Sequence, residues 1–138
     1  PRLHPLGVPV SNVPADLLYT KDHEYVARTK DAAVVRIGIT DYAQGELGDV
    51  VFVNLPKPGQ KFAAHAAFGT IEAVKAVSEL FSPVAGEVVE VNGGLDADPA
   101  VVNRDPYGAG WMITLRIQDP GVLKDLLNPA DYTKHIGG

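Results

Sequence analysis

Cysteine is absent from the 138 residues, and that one absence removes disulfides, thiolate zinc sites and thiol nucleophiles together. Long apolar runs are missing as well: no stretch approaches the ~20 residues that a membrane-spanning helix needs. Clusters of basic residues are also missing. Twelve Lys and Arg stand against 17 Asp and Glu, a net charge of −5, so the grouped cations that neutralise phosphates are not there and no nucleic-acid or membrane partner is expected. Pro1 to Asn12 lacks the basic start and apolar core of a signal peptide. No glycine-rich phosphate loop, metal-ligand spacing or nucleophile–base–orienter set is visible. No metal is expected, and an enzymatic reading would rest on Glu24, Asp41 or His23 alone.

What the chain does have is β-forming sequence punctuated by turns. Four prolines in the first fourteen residues (Pro1, Pro5, Pro9, Pro14) predict an irregular arm over 1–15, with a single domain over 16–138. Tyr19 to Arg28 ends in an alternating strand, Thr29-Lys30-Asp31 suits a hairpin turn, and Ala32 to Ile39 is a second strand. Thr40 reads as the cap of a short helix that Gly48 ends. Val50 to Leu55 is a third strand, stopped by Pro56-Lys57-Pro58-Gly59. Ala100 to Asn103 reads as extended, and Asp105 to Gly110 as turns. Trp111 to Ile117 is a last strand with Trp111 as a core anchor. Asp119-Pro120 and Asn128-Pro129 open a helical C-terminal tail. Gly48-Asp49-Val50-Val51-Phe52-Val53-Asn54 returns 38 residues later as Gly86-Glu87-Val88-Val89-Glu90-Val91-Asn92, which suggests two similar β halves. The pattern as a whole predicts a mainly β fold: a small twisted sandwich or flattened barrel with short helices and a helical tail.

Chemistry concentrates at one lysine. Phe68 to Val74 and Gly86 to Val91 are strand-like runs that read as the two arms of a hairpin, with Lys75 between them. Ile71-Glu72-Ala73-Val74-Lys75-Ala76, followed by Ser82-Pro83-Val84-Ala85-Gly86-Glu87-Val88, resembles the lipoyl and biotinyl swinging-arm domains. Val74 and Ala76 stand where biotinyl domains have Met, which favours lipoyl. Four more blocks narrow the resemblance: His23-Glu24-Tyr25-Val26, Gly38 to Gln44, Leu47 to Pro56 and Val102 to Trp111. Together they resemble the H protein of the glycine cleavage system, over about Tyr19 to Tyr132 and in that family's order.

The resemblance implies a barrel-sandwich hybrid and a carrier, not an enzyme, with lipoic acid attached as an amide to Lys75. It implies three enzyme partners: a PLP-dependent glycine decarboxylase, an aminomethyltransferase acting on tetrahydrofolate, and a dihydrolipoamide dehydrogenase. A lipoate ligase or an octanoyl or lipoyl transferase would attach the arm. The resemblance also makes Glu24 a candidate for holding the loaded arm's ammonium, with Asp22 and Tyr42 as further cleft candidates. Asp22 stands where some members have a small hydroxyl residue, Tyr25 where many have Trp, and Tyr42 where some have His. Glu72 and Glu79 flank the lysine and are candidates for partner or ligase recognition. His23 reads as structural. The expected state is a monomer in bacterial cytoplasm, or in the mitochondrial matrix if the source is eukaryotic. The alternative function is a lipoylated protein serving lipoate relay or protein binding.

Overall fold

The computed structural model describes residues 11–137. The expected irregular arm therefore falls largely outside the described residues. Within them, nine strands form two sheets. Leu18–Tyr19 (β1), Glu24–Arg28 (β2) and Val34–Ile39 (β3) come first; helix α1, Asp41–Leu47, and β4, Val50–Asn54, follow. Lys61–Phe62 (β5), Ala67–Ala73 (β6), Val77–Phe81 (β7) and Gly86–Val91 (β8) occupy the middle. Two single-turn helices, Gly94–Ala97 (α2) and Val101–Arg104 (α3), precede β9, Ile113–Arg116. A 3-10 segment, Pro120–Asp125, and α4, Pro129–His135, close the chain. One sheet has the order β1-β2-β3-β9-β8-β5 and the other β4-β6-β7. The result is an open two-sheet sandwich and not a closed barrel.

Alternation sets the core. Val26, Val35, Ile37, Ile113 and Leu115 from the larger sheet pack with Val53, Ile71 and Leu80 from the smaller one. Fully burying each such side chain contributes ~1.5–3 kcal/mol. A second cluster joins Tyr19, Tyr25 and Tyr132, and so fastens α4 to β1 and β2. Tyr25 is fully buried and its hydroxyl donates to Pro106 O at 2.8 Å. Gly38 makes room for that ring, since a Cβ there would lie 2.7 Å from it.

The caps read from sequence form as expected. Thr40 Oγ1 accepts from Ala43 N, Asp119 accepts from Gly121 N, and Asn128 accepts from Asp131 N. Gly48 ends α1 at φ 82°, a conformation that favours glycine. The two echoed segments, now β4 and β8, lie in different sheets, and both bulge at the same repeat position. The register of β4 slips between Val50 and Phe52, and that of β8 between Val88 and Glu90.

Three expectations need correction. The partner of the strand before Lys75 is Val77–Phe81, not Gly86–Val91. Gly86–Val91 pairs with β5 and β9 in the other sheet. Ala100 to Asn103 is not extended: Val101–Arg104 is helical, because Asp105 N donates to Val101 O and closes the turn. Trp111 is half-buried under the Arg36 guanidinium, 5.3 Å from its ring centre, while the neighbouring Met112 fills the core.

Candidate functional site

The lysine turn is two residues long. Ala73 N donates to Ala76 O at 2.7 Å, closing the chain around Val74 and Lys75. Val74 N donates to Asp49 O at 3.0 Å, which ties the tip to the start of β4. Asn103 braces that start from α3: Nδ2 donates to Gly48 O at 2.8 Å and to Gln44 Oε1 at 3.0 Å, and Oδ1 accepts from Val50 N at 2.9 Å. Lys75 itself is exposed, and its stem lies over Gly48, where a Cβ would stand 3.3 Å from Lys75 Cε. A free amine on a braced turn is what a modifying enzyme requires, so the residues present fit an amide-linked group.

Beside this tip, between α1 and β7, lies a cleft of about 330 Å³. Asp22, Glu24, Tyr42, Glu46 and Glu79 line it, with Ile71 and Leu80 as apolar wall. No lysine or arginine lines it. Of the residues singled out in the sequence, Asp22, His23, Glu24, Tyr42 and Glu79 thus share one cavity. Glu72 does not: it pairs with Phe52 and Val77 on the sheet's outer face.

Glu24 is 2% exposed and, among the described residues, forms no ion pair with Lys21 or Arg28. Thr20 Oγ1 donates to its Oε1 at 2.9 Å and Phe81 N to its Oε2 at 3.4 Å. Both donors favour the carboxylate. Burial opposes them and wins, pushing the carboxyl up to about 8, with nearby Asp22 adding to the rise. The cleft therefore holds an acid short of a cation.

His23, next to Glu24 in the chain, is held at both its backbone and its ring. It sits at φ 72°, uncommon for a residue with a Cβ, and its carbonyl accepts from Thr40 N at 3.0 Å. Its Nδ1 lies 2.9 Å from Tyr132 Oη, which in turn lies 2.7 Å from Thr40 Oγ1. Burial lowers its pKa, and the facing His135 lowers it further. Sequence reading missed Glu46 and Asn103. Glu46 was within reach, because it lies one helical turn after Tyr42 and shares its face. Asn103 lies in the Val102 to Trp111 block, but nothing there points to its bracing role, since its partners are more than fifty residues away in sequence.

A braced lysine hairpin over a cleft, built on two open sheets, defines a carrier domain. The family model described as glycine cleavage H-protein matches residues 17–137, and the chain belongs to that family. A glycine cleavage system H protein from Chlorobium limicola is 56% identical over 126 residues, covering 91% of this chain and 98% of the relative. One from Mycobacteroides abscessus is 50% identical, covering 89% and 96%. The crystal structure of the H protein from Mycobacterium marinum superposes with a TM-score of 0.83 at 39% identity, covering 91% of this chain and all of that one. The family is the lipoyl carrier of the glycine cleavage system and does not itself catalyse, and the expected flattened barrel-sandwich architecture agrees with the solved relative.

Proposed function

We propose that Lys75 carries lipoic acid as an amide and that the chain shuttles the aminomethyl group of glycine among the enzymes of the system. The observation that carries this reading is the exposed Lys75 on a braced two-residue turn beside a cleft with four carboxylates and no Lys or Arg. When attached, the lipoyl group supplies a disulfide that accepts the aminomethyl unit and is left as a dithiol once that unit has been passed to tetrahydrofolate. A PLP-dependent decarboxylase would load it with release of carbon dioxide, an aminomethyltransferase would unload it and free ammonia, and a flavin-dependent dihydrolipoamide dehydrogenase would take the dithiol's two electrons and two protons and so restore the disulfide. A lipoate ligase or an octanoyl or lipoyl transferase attaches it.

The chain's own residues position and protect. The arm spans roughly 12–14 Å from Cα, enough to enter another protein's site while the domain stays at the rim. The residues that would hold the ammonium of a folded-back, loaded arm are Glu24, which would accept a charge-assisted hydrogen bond, and Asp22 and Glu79 at the cleft wall. A cation held there would favour the ionised form of Glu24, because an opposite charge lowers a carboxyl pKa. Ile71, Leu80 and Tyr42 keep water from the adduct. The chain works as a monomer with small, transient interfaces, in the bacterial cytoplasm.

Glycine–bicarbonate exchange with the decarboxylase tests this. The lipoylated chain supports exchange, and Lys75→Arg, folded but unmodifiable, supports none. Exchange sustained by Lys75→Arg contradicts the reading.

A further inference from the structure

Apart from Glu79, which also reaches the cleft wall, the outer face of the three-stranded sheet takes no part in the carrier chemistry above. Because side chains alternate along a strand, Val53 and Ile71 turn to the core and their neighbours turn outward. The register sets Phe52, Glu72 and Val77 in one row across β4, β6 and β7. Phe52 is 48% exposed and Val77 68%, while Val74, in the turn next to Lys75, is 76% exposed. Val51, the extra residue of the β4 bulge, is 51% exposed. These four are the exposed large hydrophobic residues among the described ones, and all gather at the Lys75 end of this one sheet. Single exposed apolar side chains are ordinary, but a gathered group of them marks an interaction site.

Apart from Lys75 itself, the charged residues of these strands and their turn are all carboxylates. Glu72 sits within the row and Glu79 two residues beyond Val77, while Asp49 lies under the turn. In Asp49 to Asn54 and Ala67 to Phe81, Lys75 is the only Lys or Arg. An amide at Lys75 removes that charge, leaving an apolar strip edged by carboxylates alone.

Resting on the carrier reading above, we propose that this face is the docking surface for the decarboxylase that loads the arm. The matching surface is an apolar contact rimmed by lysine or arginine side chains, at the mouth of the channel the arm enters. Charge complementarity sets the chemistry of that matching surface, and the loss of the Lys75 cation makes the lipoylated chain the better fit. A second copy of this chain is a poor occupant, because face-to-face pairing would set carboxylate against carboxylate.

The test uses chains lipoylated beforehand, with attachment verified by mass, as the varied substrate in glycine–bicarbonate exchange. Phe52→Ser and Val77→Ser each raise KM for the carrier roughly tenfold, with kcat held within about twofold. Both side chains are surface-exposed, so neither change opens a core cavity, and thermal melts verify the fold. Glu72→Gln flattens the dependence of KM on salt. Unmodifiable Lys75→Gln competes with the lipoylated chain at about threefold lower concentration than Lys75→Arg at low salt, and the two converge at high salt. Unchanged KM for both serine variants overturns the proposal. So does a change confined to the rate of lipoylation, which makes the attaching enzyme the occupant, or to self-association, which makes it a second copy. If the lipoylated parent itself supports no exchange, the carrier reading fails instead, and the two failures are told apart.

Discussion

Glu24 shows how a single residue can be tuned by its surroundings. In an unfolded chain its carboxyl titrates near 4.5, and burial in the fold pushes it up to about 8. Between these values the unfolded chain has released a proton that the folded chain still holds. The native state therefore loses stability as pH rises from 4.5 to about 8, and the cost is present in full above that range. Glu24→Gln keeps the shape and removes the titration. Its melting temperature should match the parent near pH 4.5 and exceed it by ~5 °C or more at pH 8.5, a gain of the order a kcal/mol or more gives in a domain this size. Equal melting temperatures at both pH values would contradict the burial argument. The same variant should shorten the lifetime of the methylamine-loaded form while leaving lipoylation intact, because it withdraws the counter-charge from the ammonium. Glu24 was legible in the sequence only through the His23-Glu24-Tyr25 block. Its burial, its pKa and its three carboxylate neighbours depend on Asp22, Glu46 and Glu79 meeting in space, and no local pattern carries that.

At the scale of elements, local signals were read well and long-range partners were not. Thr40, Asp119 and Asn128 cap helices because a short polar side chain before a helical run has one obvious hydrogen bond to make. The return strand from Lys75 was missed because Val77–Phe81 does not alternate: only Leu80 is buried, since the strand lies at the sheet's edge beside the cleft. The Val-rich run further on looked the better partner and belongs to the other sheet. Helix α3 was missed because one turn has too few residues for a period to show. Yet α3 delivers Asn103, which bonds the end of α1 to the start of β4 and so braces the Asp49 carbonyl that anchors the lysine turn. Asn103→Ala leaves Val50 N–H and Gly48 O without these partners. It should cost ~1–3 kcal/mol, read as a lower urea midpoint with an unchanged slope. A midpoint shift near zero would mean that the brace carries no weight.

The molecule as a whole is an acidic domain with one exposed lysine turn beside a cleft. Its open sandwich and helical tail were legible as a class from strand spacing, the echoed Gly-Asp/Glu-Val-Val segment and the two Pro-capped helical starts. The echo proved to be structural, since both copies bulge at the same position in opposite sheets. What composition could not give was the segregation of charge around the tip, which emerges only when α1, β6 and β7 are brought together. Lipoylation at Lys75 would replace an ammonium by a neutral amide and shift the formal charge from −5 to −6. The most direct test of the account is therefore the mass of the peptide that contains Lys75, after incubation of the folded chain with lipoate, ATP and a lipoate ligase. The account predicts a gain of about 188 Da on that peptide alone and none in Lys75→Arg. No gain at Lys75, or the same gain on a peptide bearing any of the other lysines, would contradict it.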